Sequence, residues 1–297
     1  MTTVQRAAVL FFSLLLAVVA LTRQEASALP GPTDPAAIQV ARDVTYTTVD
    51  GQAQKLDVYW PAIWAPNRPA MVLVHGGAWS GGDKGSMEWM GRQLAAYGYV
   101  TVAINYRLAS ATPWPAEIQD VQAAIRFVRS RAAASGIDPA RVGILGDSAG
   151  GNLAALAGAA GRGSWSADAR VKAVVSFSGI HDLNTLLPQV AGDPARSWLG
   201  TAVANYTRCP VLSLTPACVG ARWVASPVNH LDPTDPPNLI FNSTAELTPL
   251  LQATVLETAL RTAGVPVERT TYVGNEHGQR LFDDGLAQTL AFLGRNL

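Results

Sequence analysis

The chain has 297 residues, 48% of them hydrophobic and 15% charged, and its 22 basic and 22 acidic side chains cancel at pH 7. That length and composition allow one large domain with a substantial core and exclude a disordered chain. Neither the net charge nor any run of Lys and Arg points to nucleic acid or an acidic membrane surface as a partner.

The first segment differs from the rest. Arg6 supplies a short positive region, Ala7 to Leu21 is apolar apart from Ser13, and Ala26-Ser27-Ala28 supplies small residues at a cleavage point. This is the layout of a secretory signal over residues 1–28, and the apolar run is shorter than the roughly 20 residues of a spanning helix. The expected product is a secreted protein of one domain, 29–297, with no stable membrane insertion once the signal is removed.

An antiparallel hairpin follows. Val44–Thr48 and Leu56–Trp60 alternate in polarity about Asp50-Gly51, a dipeptide suited to a tight hairpin turn. From residue 70 short apolar runs alternate with amphipathic stretches: Met71–Val74, a helix near Met87–Tyr97, Val100–Ile104, a helix over Ala116–Ala134, Val142–Leu145, an Ala-rich helix near Gly150–Ala160, and Val171–Phe177. Apolar strands separated by helices give the fold class, α/β: a mostly parallel sheet with helices on both faces. Residues 179–237 break the rhythm with eight prolines and two cysteines. They are expected to form a loop-rich insertion before the penultimate strand, building a pocket rather than a second domain. In an exported protein Cys209 and Cys218 are best read as a disulfide, since their spacing fits neither a redox nor a zinc motif. The alternation resumes with Leu239–Phe241, a helix near Pro249–Ala263, Val267–Tyr272 and a closing helix from Leu281.

Four stretches carry chemistry. Gly146-Asp147-Ser148-Ala149-Gly150 follows an apolar strand and opens a helix, the setting in which a sharp turn presents a nucleophilic serine. Ser148 needs a base. Of His75, His181, His230 and His277, only His277 lies in a polar loop beyond the last strand, where the base of such a fold belongs. The base needs a carboxylate to orient it. Glu246 is the only one in the loop after Leu239–Phe241; Asp147, Asp182 and Asp235 are the competitors. His75-Gly76-Gly77-Ala78-Trp79 follows Met71–Val74, and its small residues let backbone N–H groups turn toward a developing oxyanion, together with the N–H of Ala149. His75 is expected to brace that loop. Trp79, Trp89 and Trp114 either wall a pocket or pack the core.

Together, His-Gly-Gly-Ala-Trp at 75–79, Asn105-Tyr106-Arg107-Leu108 ahead of Trp114-Pro115, Gly-Asp-Ser-Ala-Gly-Gly-Asn at 146–152 and the loop histidine at 277 resemble the hormone-sensitive-lipase-like and feruloyl-esterase-like carboxylesterases of the α/β-hydrolase superfamily. The resemblance runs from about residue 55 to the C-terminus. It implies an α/β-hydrolase fold, a Ser–acid–His triad, an oxyanion hole formed by Gly77, Ala78 and Ala149, and neither metal nor organic cofactor. The implied reaction is hydrolysis of short-chain or aryl esters on small molecules or polysaccharides. Two positions depart from the family: Ala78 stands where many relatives have a third glycine, and Glu246 where an aspartate is usual. Amidase, peptidase or lipase activity on the same triad, and a non-catalytic binding protein on the same scaffold, are the alternatives.

Overall fold

The computed structural model describes residues 32–63, 65–161 and 168–297; the export signal expected over 1–28 lies outside them. Strands β1 (Gln39–Val49) and β2 (Gln52–Trp60) pair antiparallel about Asp50-Gly51. Both turn residues have positive φ, 50° and 76°, as a two-residue primed turn requires. There follow β3 (Arg68–Val74), α1 (Glu88–Ala96), β4 (Val100–Ile104), α2 (Ala116–Ser135), β5 (Ile137–Asp147), α3 (Ala149–Gly158) and β6 (Val174–Phe177). An inserted segment holds α4 (Leu183–Val190), α5 (Ser197–Thr207) and α6 (Pro216–Val224), and the chain ends through β7 (Asn238–Ser243), α7 (Leu251–Ala263), β8 (Val267–Tyr272) and α8 (Phe282–Asn296).

Among the described residues the eight strands form one sheet in the order β1-β2-β4-β3-β5-β6-β7-β8. Neighbours from β4 to β8 run parallel, and β2 lies antiparallel to β4. This is the α/β-hydrolase arrangement expected above.

Strand residues alternate between faces, and each face has its own helices. Val72, Val74, Val100 and Val102 pack with Ile118, Val121, Ile125 and Val128 of α2 and Leu153 of α3. On the opposite face Thr101 Oγ1 donates to the Gly91 carbonyl of α1 at 2.9 Å. There too Phe177 and Phe241 stack at 4.5 Å, with Phe282 of α8 edge-on to Phe177 at 5.9 Å. With both faces covered, β3, β4, β6 and β7 are almost wholly buried, which is why they read as continuous apolar runs.

The inserted segment lies before the penultimate strand as expected, with three helices set among its loops. Its prolines and polar residues start helices. Asp182 caps α4 by accepting from Asn184 N and Thr185 N, and Pro216 opens α6 behind the Thr215 cap, a first-turn position where proline costs no hydrogen bond. Leu183, Leu186 and Val190 of α4 and Leu199 and Val203 of α5 join the same hydrophobic core as residues of α2 and α3. The Cys209–Cys218 disulfide ties the end of α5 to the first turn of α6, with Cα atoms 5.4 Å apart.

Candidate active site

Because β3, β5, β7 and β8 share one direction, the loops that leave them, 75–79, 147–149, 244–246 and 273–277, emerge at a single edge of the sheet. Such an edge is where open α/β sheets hold ligands.

Ser148 sits between β5 and α3 at φ 53°, ψ −118°, a conformation costly for any side chain and confined to strained turns. The turn closes because its flanks lack side chains. A Cβ on Gly146 would fall 2.1 Å from the Gly150 carbonyl oxygen, and one on Gly150 would fall 2.1 Å from that of Val74. The Ser148 N–H donates to the Phe177 carbonyl at 2.8 Å, anchoring the turn to β6. The hydroxyl thus stands at the N-terminus of α3, the positive end of its dipole.

Asp147 holds two neighbouring loops against that serine. Its Oδ1 accepts from Gly76 N at 2.8 Å. Gly76 lies so close that an added Cβ would meet Asp147 Oδ2 at 2.8 Å and Ser148 Cβ at 3.1 Å, and one on Gly278 would meet the same Oδ2 at 2.8 Å. Gly278 N also donates to Ser178 Oγ at 2.8 Å. The loops carrying Gly77 and His277 therefore both abut the residue preceding the nucleophile candidate. Burial pushes the Asp147 carboxyl up to about 6, against the pull of the Gly76 N–H and of nearby His277.

His277 is half-buried, and its Nδ1 lies 2.6 Å from Glu246 Oε2. The other carboxylate oxygen accepts from Ser243 N at 2.8 Å, and the Glu246 carbonyl receives Arg196 Nη2 at 2.8 Å. The competing carboxylates are engaged elsewhere: Asp182 as the α4 cap, Asp235 beside Arg170 and the Asp232 N–H, and Asp147 on Gly76. A carboxylate bound to Nδ1 selects the tautomer with Nε2 as the basic nitrogen.

Gly77, Ala78 and Trp79 all have positive φ, at 114°, 54° and 57°, which folds the 75–79 loop back on itself. Among the described residues the N–H groups of Gly77, Ala78 and Ala149 meet no acceptor. Ala149 adjoins the serine in the chain, and Gly76, which precedes Gly77, lies against it. His75 braces the loop: Nδ1 contacts the Gly76 carbonyl at 2.7 Å, and its ring stacks on Tyr106 at 4.4 Å. The Tyr106 hydroxyl donates to the His75 carbonyl at 3.0 Å.

The remaining histidines and the tryptophans stand apart from this chemistry. His181 is buried against Ser176, and burial alone pushes it down to about 3, so it stays neutral. His230 Nε2 contacts the Val224 carbonyl. Trp79 is a core residue, stacked on Tyr206 at 4.4 Å. Trp114 meets the edge of Tyr206, and exposed Trp89 donates to Asp283 at 2.7 Å. Asn152 has a role that the sequence reading did not assign. Its Oδ1 accepts from Trp79 Nε1 and the Tyr206 hydroxyl, and its Nδ2 donates to the carbonyls of Ile180 and Ala225. One buried amide thus joins α3, the 75–79 loop and the inserted helices; its place in the Gly-Gly-Asn run was the only signal. Among the described residues no cluster of His, Cys, Asp and Glu fits a metal.

The BD-FAE family model matches residues 56–260. The chain is 29% identical to esterase LipQ of Mycobacterium tuberculosis over 266 residues, 84% of this chain and 59% of LipQ. It is 43% identical to carboxylesterase NlhH of the same organism over 100 residues, 33% of this chain and 31% of NlhH. A solved truncated carbohydrate esterase from gut microbiota matches with a TM-score of 0.70 at 26% identity, covering 90% of this chain and 100% of that one. The chain spans less than two thirds of the length of the curated relatives it matches.

Proposed function

The chain belongs to the BD-FAE family, and from that membership we propose that it is a secreted serine carboxylesterase working through Ser148, His277 and Glu246. In the first step His277 Nε2 takes the Ser148 proton as Oγ attacks the ester carbonyl. Glu246, on Nδ1, stabilises the imidazolium so formed. The N–H groups of Gly77, Ala78 and Ala149 receive the oxyanion; loss of one such donor costs about 10²–10³ in turnover. Collapse of the tetrahedral intermediate expels the alcohol, which takes the proton from His277 and leaves an acyl-serine. A water, deprotonated by the same imidazole, attacks the acyl carbon; as the second tetrahedral intermediate collapses, His277 returns that proton to Ser148 Oγ and the acid is released.

The observation that carries this reading is the 2.6 Å contact of Glu246 with His277, on a loop whose next residue packs against Asp147 at the elbow. The substrate we assign is a short-chain or aryl ester of a small alcohol or sugar. The carbohydrate esterase among the solved relatives supports the sugar. Export rests on the signal pattern of residues 1–28, and the Cys209–Cys218 bridge supports it. Ser148→Ala is expected to abolish p-nitrophenyl butyrate hydrolysis while leaving the thermal midpoint close to wild type. Retained hydrolysis would remove the mechanism.

A further inference from the structure

Strand β6 supplies no residue to the proposed triad or oxyanion hole, yet it lies between β5, which leads to Ser148, and β7, which leads to Glu246. At its end Phe177 pairs with Asp147 on one side and Phe241 on the other. One position further stands Ser178, buried and held at φ 54°. That backbone costs a serine free energy that it would not cost a glycine, and such strain persists only where the surroundings impose it. Here the Ser178 N–H donates to the Phe241 carbonyl at 2.7 Å. Just beyond, a Cβ on Gly179 would fall 2.4 Å from both Ser176 Oγ and His181 Cε1, so the chain has no room to shift.

Three loops converge on this fixed point. The Ser148 N–H donates to the Phe177 carbonyl at 2.8 Å. Thr248 Oγ1, two residues past Glu246, donates to the Ser178 carbonyl at 3.0 Å. Gly278 N, in the residue after His277, donates to Ser178 Oγ at 2.8 Å. Of the three, only the last requires that position 178 have a side chain. The histidine loop depends on it: residues 273–276 are exposed, and the near end of the loop is tied only to the acid loop, where the Gly274 carbonyl accepts from Ala245 N at 2.8 Å. Glu246 orients the imidazole ring but does not fix where the backbone carries it. On the far side of His277 that task falls to Ser178, with Asp147 packed against the same glycine.

We infer that Ser178 is a positioning residue: its hydroxyl holds the backbone at 278 so that the His277 imidazole meets the Ser148 hydroxyl. This role rests on the triad proposed above and adds a side chain that sets its geometry. A hydroxyl that did no more than satisfy a buried N–H would matter to stability alone. One that places the base matters to turnover, and only through the base.

The test uses the full chain with Ser178→Ala and, because glycine adopts φ 54° without strain, with Ser178→Gly; neither side chain can accept from Gly278 N. Both variants are expected to keep the far-UV circular dichroism of the wild type. Their kcat on p-nitrophenyl butyrate is expected to fall by about 10–10²-fold, as for an ångström-scale misplacement of a catalytic group, with KM little changed. Wild-type kcat in either folded variant overturns the inference. The rate of fluorophosphonate attachment to Ser148 then separates placement of the base from a purely structural role. Removing the Ser178 hydroxyl is expected to slow attachment by a like factor when His277 is present and to change nothing further in a His277→Ala background, since an absent base cannot be misplaced. Slowing of equal size in both backgrounds overturns the positioning role and leaves the triad standing. If His277→Ala alone reacts at the wild-type rate, the triad itself fails and the role of Ser178 falls with it.

Discussion

Glu246 is one methylene longer than the aspartate usual among the carboxylesterases this chain resembles, and the turn that carries it takes up the difference. Ser243 N holds one carboxylate oxygen so that the other lies 2.6 Å from His277. Glu246→Gln keeps the shape but replaces the anion with an amide. It is expected to lower kcat on p-nitrophenyl butyrate by about 10²–10⁴ while changing KM little; near-wild-type turnover would dismiss Glu246 as the orienting acid. A second carboxyl is governed by burial. Both oxygens of Glu117 are buried without a partner, and burial, reinforced by Asp120, pushes its carboxyl from 4.5 up to about 8. The folded chain therefore keeps a proton that the unfolded chain releases, so the contribution of this carboxyl to stability declines as pH rises from about 4.5 toward 8 and levels off above, opposed below about 6.5 by His181, which burial keeps neutral. Asp147, raised to about 6, adds to the decline at its acidic end. Glu117→Gln is expected to shrink the fall in thermal midpoint between pH 6 and pH 9, leaving the Asp147 contribution; a fall as large as wild type's would contradict this. The pairing of Glu246 with His277 was legible because the loop that carries Glu246 holds no other carboxylate. Glu117 was not, because a Glu in the first turn of an amphipathic helix ordinarily faces water.

At the scale of elements, the sheet was legible and the inserted helices were not, for one reason. The strands are buried on both faces, so their composition is set by burial alone and stands out as apolar runs. Helices α4 to α6 are short, follow the caps Asp182, Arg196 and Thr215, and take their stability from packing on one another and in the common core, which no local pattern reports. Pro188 lies within α4 and Pro216 opens α6, so residues that usually mark loops are part of the helices. What joins this layer to the site is Asn152. Asn152→Ala leaves Trp79 Nε1 and the Ile180 and Ala225 carbonyls without their buried partner. Each orphaned group costs about 1–3 kcal/mol before relaxation. The expected outcome is a clearly lower urea midpoint, with turnover reduced because Trp79 adjoins Ala78. An unchanged midpoint would show that the inserted helices hold their place without this amide.

For the molecule as a whole, a site assembled from four loops depends on the parallel direction of the strands beneath them. That direction followed from the alternation of apolar runs and helices, since parallel neighbours require a crossover between them. The order of strands, and the packing of the Gly76 and Gly278 loops on Asp147, are tertiary facts that no spacing in the chain records. The account therefore depends on the Ser148 hydroxyl being made reactive by a histidine 129 positions later in the chain. Reaction with a fluorophosphonate, followed by mass mapping of the labelled peptide, tests this directly. The account requires one label, on Ser148, whose rate of attachment collapses in His277→Ala although the fold persists. Labelling at another residue, or a rate indifferent to His277, would contradict it.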